Sequence, residues 1–179
     1  IIDNLDMSLT LLMDGSGSVG SGEWNLMQQV CAAFAQALGR RDDIELIVAS
    51  YSSGFETVIS RHFDKRLGKY HAARPDAGGT PSGIALAAIR DSIYGRLGTR
   101  RRDKVIIHLT DGQPSDPYEV KKQVDLNREQ HIETFCILIG GWESPEFRET
   151  YGKRFQRLDD YGQLMQCLTG LFASITEAR

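Results

Sequence analysis

Leu9-Thr10-Leu11-Leu12-Met13-Asp14-Gly15-Ser16-Gly17-Ser18 is an apolar run that ends on a carboxylate and then places hydroxyls at alternate positions, Asp-x-Ser-x-Ser. The near-continuous apolar stretch from Ser8 to Met13 has the character of a strand covered on both faces, as in a parallel sheet. Such a strand delivers Asp14 to the carboxyl edge of the sheet, where open α/β sheets bind their ligands. The glycine-rich turn lets Ser16 and Ser18 curl round one point, offering the oxygen ligands that Mg²⁺ takes.

Two later segments extend this design. Gly78-Gly79-Thr80-Pro81-Ser82-Gly83 offers a hydroxyl in a loop that opens a helix, with Thr80 suited to the cap and Pro81 to the first helical position. Lys104-Val105-Ile106-Ile107-His108-Leu109-Thr110-Asp111-Gly112 is again an apolar strand ending on Asp-Gly. Three loops thus supply Asp14, Ser16, Ser18, Thr80 and Asp111 as candidate metal ligands. Their order and spacing resemble the von Willebrand factor A (VWA) domain family and its metal-ion-dependent adhesion site, over nearly the whole chain. The Gly-Gly-Thr-Pro loop, the Leu109 to Pro114 run and the closing Leu-Met-Gln-Cys-Leu-Thr-Gly-Leu-Phe segment look like the intracellular bacterial branch of that family. That resemblance implies a cytoplasmic, non-enzymatic accessory to a MoxR-type AAA+ ATPase, as in chelatase complexes.

Strand and helix signals alternate along the chain. Trp24, Met27, Val30, Cys31, Phe34 and Leu38 recur at helical spacing and Gly39 ends that helix. Ile44 to Tyr51 reads as a second strand, turned by Ser52-Ser53-Gly54 into Phe55 to Ser60 as an antiparallel hairpin, because so short a link cannot make a parallel crossover. Residues 61 to 79 read as a loop or short helix. Pro81 to Tyr94 reads as a helix ended by Gly95 and Gly98, Val105 to Leu109 as a strand, Pro117 to His131 as a charged surface helix and Glu133 to Ile139 as a buried strand. Phe155 to Leu158 makes a short edge strand. Tyr161, Leu164, Met165, Leu168, Leu171, Phe172 and Ile175 mark one face of a terminal helix. The expected fold is therefore a three-layer, doubly wound, mainly parallel α/β sheet with one antiparallel edge strand, Rossmann-like in architecture.

With 179 residues, 41% hydrophobic and 25% charged, the chain fits one domain spanning residues 1–179. It opens Ile1-Ile2-Asp3 without an initiator methionine, so a piece of a longer polypeptide is expected. A formal net charge of −3 gives no basis for non-specific nucleic-acid binding, and Arg100-Arg101-Arg102 reads as a solvated loop. No apolar stretch is long enough for membrane insertion. Cys31, Cys136 and Cys167 are odd in number, lie in apolar surroundings and lack metal-type spacing, which fits buried thiols in a reducing compartment.

One direct carboxylate and three hydroxyls leave much of a divalent charge uncancelled, with Asp111 bound directly or through a water. Hard oxygen ligands favour Mg²⁺, with Mn²⁺ or Ca²⁺ as substitutes. The resemblance implies that a partner protein's Asp or Glu completes the shell. Three alternatives stand beside this reading. An extracellular VWA adhesion domain would use the same residues. A dinucleotide-binding enzyme is suggested by Gly15-Ser16-Gly17-Ser18-Val19-Gly20, which satisfies G-x-G-x-x-G, yet the second strand ends in serines rather than the acidic residue that would hold the ribose. A metal-dependent hydrolase would need a general base; His108 reads as a packed core imidazole, and His62, His71 and His131 fall in loops or at a helix end.

Overall fold

A computed structural model of the chain describes residues 6–52, 60–61, 63–64, 69–70, 79–96, 101–112 and 114–177. All eight residues of β1 (Met7–Asp14) are buried, as its near-continuous apolar run requires of a central strand. It lies between β2 (Ile44–Tyr51) and β6 (Asp103–Thr110), parallel to both, with Asp14 opposite Tyr51 and Met13 opposite Leu109. The sheet continues in parallel through β7 (Ile132–Ile139) to the edge strand β8 (Phe155–Leu158). On the other edge the short β3 (Ser60–Arg61) runs antiparallel to β2, pairing Ser50 with Ser60 and Ala49 with Arg61. The order β3-β2-β1-β6-β7-β8 makes five parallel strands and one antiparallel edge, the expected architecture.

Helices cover both faces. On one, α1 (Ser21–Leu38) and α5 (Leu164–Glu177) bury Met27, Val30, Phe34, Leu171 and Ile175 against Leu9, Leu11, Val48, Ile107 and Ile137. On the other, α2 (Ser82–Ala88), α3 (Pro117–Glu129) and α4 (Pro145–Tyr151) pack on Leu12, Ala49, Tyr51, Ile106 and Leu138. Alternate residues of each strand therefore serve alternate cores, as the pleat dictates. Polar groups inside are bonded: the Tyr94 hydroxyl accepts from Thr10 at 2.7 Å while donating to the Val105 carbonyl at 2.9 Å.

Several expectations are corrected. Helix α2 starts at Ser82 rather than Pro81, so Pro81 holds the cap position and Thr80 lies before it. Beyond Ala88 the chain continues as a π-helix over Ile89–Arg96, where an ordinary helix was expected to Tyr94. In the 61 to 79 segment, where a loop or short helix was expected, β4 (Phe63–Asp64) and β5 (Lys69–Tyr70) pair as a two-stranded antiparallel ribbon. Most of the expected Phe55 to Ser60 strand and Gly98 lie outside the described residues. Tyr161 belongs to a 3₁₀ turn before α5 and is exposed, as is Met165, so neither joins the buried face that Leu164, Cys167, Leu171 and Ile175 form. Helix α4 was not expected at all.

Two arginines of the basic run are neutralised locally, and Arg100 lies outside the described residues. Arg101 pairs with Asp6 and also donates to the Asp42 carbonyl, and Arg102 pairs with Asp103. The three cysteines are buried, and none of them forms a disulfide.

Candidate metal centre

The chain leaves β1 toward β2 on one side of the sheet and reaches β6 on the other, so the strand order reverses between β1 and β6. Asp14 ends β1 and Asp111 follows the last residue of β6, which places both carboxylates at this switch point, on the carboxyl edge. Asp14 is completely buried and Asp111 nearly so.

Asp14 is held at both oxygens. Its Oδ1 accepts the Ser16 N–H at 2.9 Å and its Oδ2 accepts the Thr110 hydroxyl at 2.7 Å. Thr110 is itself oriented by the Gly112 N–H, 3.2 Å from its Oγ1. Burial pushes the Asp14 carboxyl above its ordinary value of 3.8, against the opposite pull of Ser16 and Thr110, and the Asp111 charge adds to the rise. Among the described residues no lysine or arginine forms an ion pair with Asp14.

The hydroxyls gather as the turn predicts. Ser16 Oγ and Ser18 Oγ are 3.0 Å apart, the first buried and the second exposed. The turn is pinned by the Gly15 N–H on the Tyr51 carbonyl at 2.8 Å and the Val19 N–H on the Ser16 carbonyl at 3.2 Å. Thr80 is buried and is tied by its backbone to the third loop: its N–H donates to Ser115 Oγ at 2.8 Å and its carbonyl accepts the Ser115 N–H at 2.9 Å. No described group bonds the Thr80 hydroxyl. Gly141 sits so close to Asp111 that a Cβ there would come 1.9 Å from the Asp111 carbonyl oxygen.

All five expected residues thus stand on loops of one sheet edge, with Asp14 tied to Thr110 beside Asp111 and with Thr80 tied to Ser115 beyond it. The donor set fits a hard divalent cation: a buried carboxylate without a cationic partner among the described residues, a second carboxylate and hydroxyls from two loops. Among the described residues no group of three or more His, Cys, Asp or Glu side chains could hold a metal, so the hydroxyls are needed to make up a shell. Thr110, Ser115 and Tyr51 are parts of the site that the sequence reading passed over. The Leu-Thr-Asp-Gly run held the signal for Thr110, a hydroxyl one residue before the second carboxylate.

The alternatives meet obstacles here. Where a dinucleotide site wants an acidic residue, β2 ends in the fully buried Tyr51. His108 is buried, pushed down to a pKa of about 3 by burial, and has both ring nitrogens engaged, with the Tyr51 hydroxyl at 2.8 Å and the Tyr151 hydroxyl at 2.9 Å. A ring held this way is not a poised general base.

The family model of the von Willebrand factor type A domain matches residues 8–165. No curated protein sequence matches the chain. Among solved structures, proximal thread matrix protein 1 from the mussel byssus is 16% identical with a TM-score of 0.76, over 94% of this chain and 47% of that one. The chain therefore spans about half the length of the mussel protein. The same protein with a zinc-occupied MIDAS motif is 17% identical with a TM-score of 0.70, over 92% of this chain and 44% of that one. The manganese-loaded TRAP protein of Plasmodium vivax is 18% identical with a TM-score of 0.66, over 92% of this chain and 73% of that one. At these identities the likeness is one of fold.

Proposed function

The chain belongs to the von Willebrand factor type A domain family, and on that premise we propose that it is a metal-dependent protein-binding module in which Asp14, Ser16, Ser18, Thr80 and Asp111 hold a divalent cation. The observation that carries this reading is Asp14: a carboxylate fully buried at a topological switch point, hydrogen-bonded at both oxygens, without a described cationic partner, beside a second carboxylate and two clustered hydroxyls. A buried charge in that setting calls for a cation.

Each residue has a part. Asp14 supplies the central negative charge, and Thr110 together with the Ser16 N–H fixes the direction of its lone pairs. Ser16, Ser18 and Thr80 add neutral oxygens, which leave a bound cation electron-poor. Asp111 adds the second carboxylate, and Gly141 packs directly against its backbone. The cation, when bound, supplies an open coordination position for a carboxylate of a partner protein. Support for metal use comes from the structural neighbours, one manganese-loaded and one with zinc in its MIDAS motif. Mg²⁺ is the ion proposed here, on the hardness of the oxygen donors.

The finer reading is an intracellular bacterial domain, residues 1–179 forming one unit, acting in the cytoplasm beside a MoxR-type AAA+ ATPase. It rests on the Gly78 to Pro81 loop, the Leu109 to Pro114 run, the closing helix and three buried cysteines outside any disulfide. Among the described residues no helix is long and apolar enough to cross a membrane.

Calorimetric titration of the metal-stripped protein with Mg²⁺ and with Mn²⁺, beside Asp14→Ala and with NAD as a control titrant, tests the reading. Binding that vanishes in Asp14→Ala, with no NAD signal, is expected. NAD binding in place of metal binding would overturn it.

A further inference from the structure

Tyr51 touches all three ligand-bearing segments. Its carbonyl accepts the Gly15 N–H at 2.8 Å, inside the Asp14 to Ser18 turn. Its hydroxyl lies 2.7 Å from Ser82 Oγ, in the first turn of α2 and two residues beyond Thr80. The same hydroxyl lies 2.8 Å from His108 Nε2 on β6, the strand that leads into Asp111. His108 Nδ1 in turn meets the Tyr151 hydroxyl at 2.9 Å on α4. Tyr51, Ser82, His108 and Tyr151 are all buried, so these groups have no solvent to turn to. A neutral imidazole donates through one nitrogen and accepts through the other, so Ser82-Tyr51-His108-Tyr151 forms one continuous chain with a choice of two directions.

Among the described residues Thr80 is held through its backbone, by the reciprocal pair with Ser115 and by the Ser82 N–H on its carbonyl. Thr80 stands just before Pro81 and the start of α2, whose first residue, Ser82, bonds the Tyr51 hydroxyl. Resting on the metal-site reading above, we propose that Tyr51 is a positioning residue of the site: with His108 and Tyr151 behind it, it fixes the first turn of α2 and so sets the reach of the Thr80 hydroxyl toward the ion. Partners of this kind, one bond removed from a ligand, tune metal affinity by holding the ligand's orientation.

The test is a double-mutant cycle on Mg²⁺ affinity, read by calorimetry, between Tyr51→Phe and Thr80→Ala. Tyr51→Phe alone is expected to weaken binding about tenfold. In the Thr80→Ala background, where the hydroxyl to be positioned is gone, the same change is expected to weaken it by less than about threefold. A merely structural tyrosine would cost the same in both backgrounds, and that result, or an unchanged affinity in Tyr51→Phe, overturns the proposal. Ser82→Ala removes the same bond from the helix side while leaving Tyr51 on His108, and is expected to reproduce the coupling if Tyr51→Phe folds poorly. Hydrogen exchange of the metal-free protein gives an independent reading. Tyr51→Phe is expected to speed exchange at the Ser82 amide, which bonds the Thr80 carbonyl at 2.9 Å, by about tenfold. An unchanged rate shows that Tyr51 does not hold this turn. Failure of wild-type protein to bind Mg²⁺ or Mn²⁺ overturns the metal-site reading itself, and this outcome is separate from a failed cycle in a wild type that binds.

Discussion

Replacing Asp14 with Asn should have opposite effects on stability with and without metal. In the metal-free domain Asp14 is a fully buried carboxylate whose pKa burial pushes up from 3.8, with Asp111 adding to the rise. Desolvation of such an ion costs several kcal/mol, of which its two charge-assisted hydrogen bonds return about 1.5–3 kcal/mol each. Asn keeps the shape, can accept the Ser16 N–H through its carbonyl, and turns an amide N–H toward the Thr110 oxygen. The metal-free Asp14→Asn variant should therefore be more stable than wild type at neutral pH by about 1–2 kcal/mol, or roughly 2–8 °C in Tm for a domain of this size. A folded pKa above the unfolded one means that the folded state holds the extra proton. Stability is then fully present below the unfolded value of 3.8 and is lost as pH rises through the folded pKa, so the gap between variant and wild type should widen in that direction. Excess Mg²⁺ should reverse the order, since binding at a hundred times Kd stabilises wild type by about 2.7 kcal/mol and the variant not at all. Thermal unfolding followed by circular dichroism, in chelator and in Mg²⁺, reads all of these. A metal-free variant less stable than wild type, or equal Mg²⁺ stabilisation of the two, would refute the reasoning.

Other perturbations separate the roles within the site. Thr80→Ala should weaken Mg²⁺ less than Asp14→Ala, because it removes a neutral ligand rather than the central charge; equal losses in calorimetry would contradict that ranking. Thr110→Val frees Asp14 Oδ2 from its 2.7 Å bond and should lower Mg²⁺ affinity by about 10–100-fold while the sheet stays folded, as calorimetry beside circular dichroism would show. For His108 the folded pKa of about 3 lies below the unfolded 6.5, so the unfolded state takes the proton and stability falls as pH drops through that window. Urea unfolding should show wild type losing about 2 kcal/mol from this group between pH 7 and pH 5, and His108→Gln losing none of it. Gly141→Ala should cost at least about 2 kcal/mol in denaturant unfolding, because Gly141 has φ +54° and its Cβ would strike the Asp111 carbonyl.

Much of this was legible because each ligand loop follows an element with a strong local signature. The apolar runs of β1 and β6 announce buried parallel strands, and a carboxylate at the end of each can only sit at the carboxyl edge. The missing parts depend on register between distant segments. Thr110 reaches Asp14 across 96 residues of sequence, Ser115 reaches Thr80 across 35, and Ser82 reaches Tyr51 across 31, pairings that no local pattern encodes. Helix α4 is seven residues long, too short for helical periodicity to stand out. The shift of α2 to Ser82 has a local cause: Pro81 has ψ 56°, outside the helical range, so the helix begins one residue later. Tyr161 and Met165 continue the apolar spacing of α5, but Tyr161 falls in the 3₁₀ turn, where the rotation per residue differs and the face is lost.

The central claim is that the site holds a cation with a coordination position left open to a partner's carboxylate, and Mn²⁺ reports on that position directly. Water-proton relaxation should rise when Mn²⁺ binds the metal-stripped protein, through exchangeable water on the ion, and should fall as acetate or an acidic peptide is added. No rise on binding, or a rise that carboxylates leave untouched, would contradict the account.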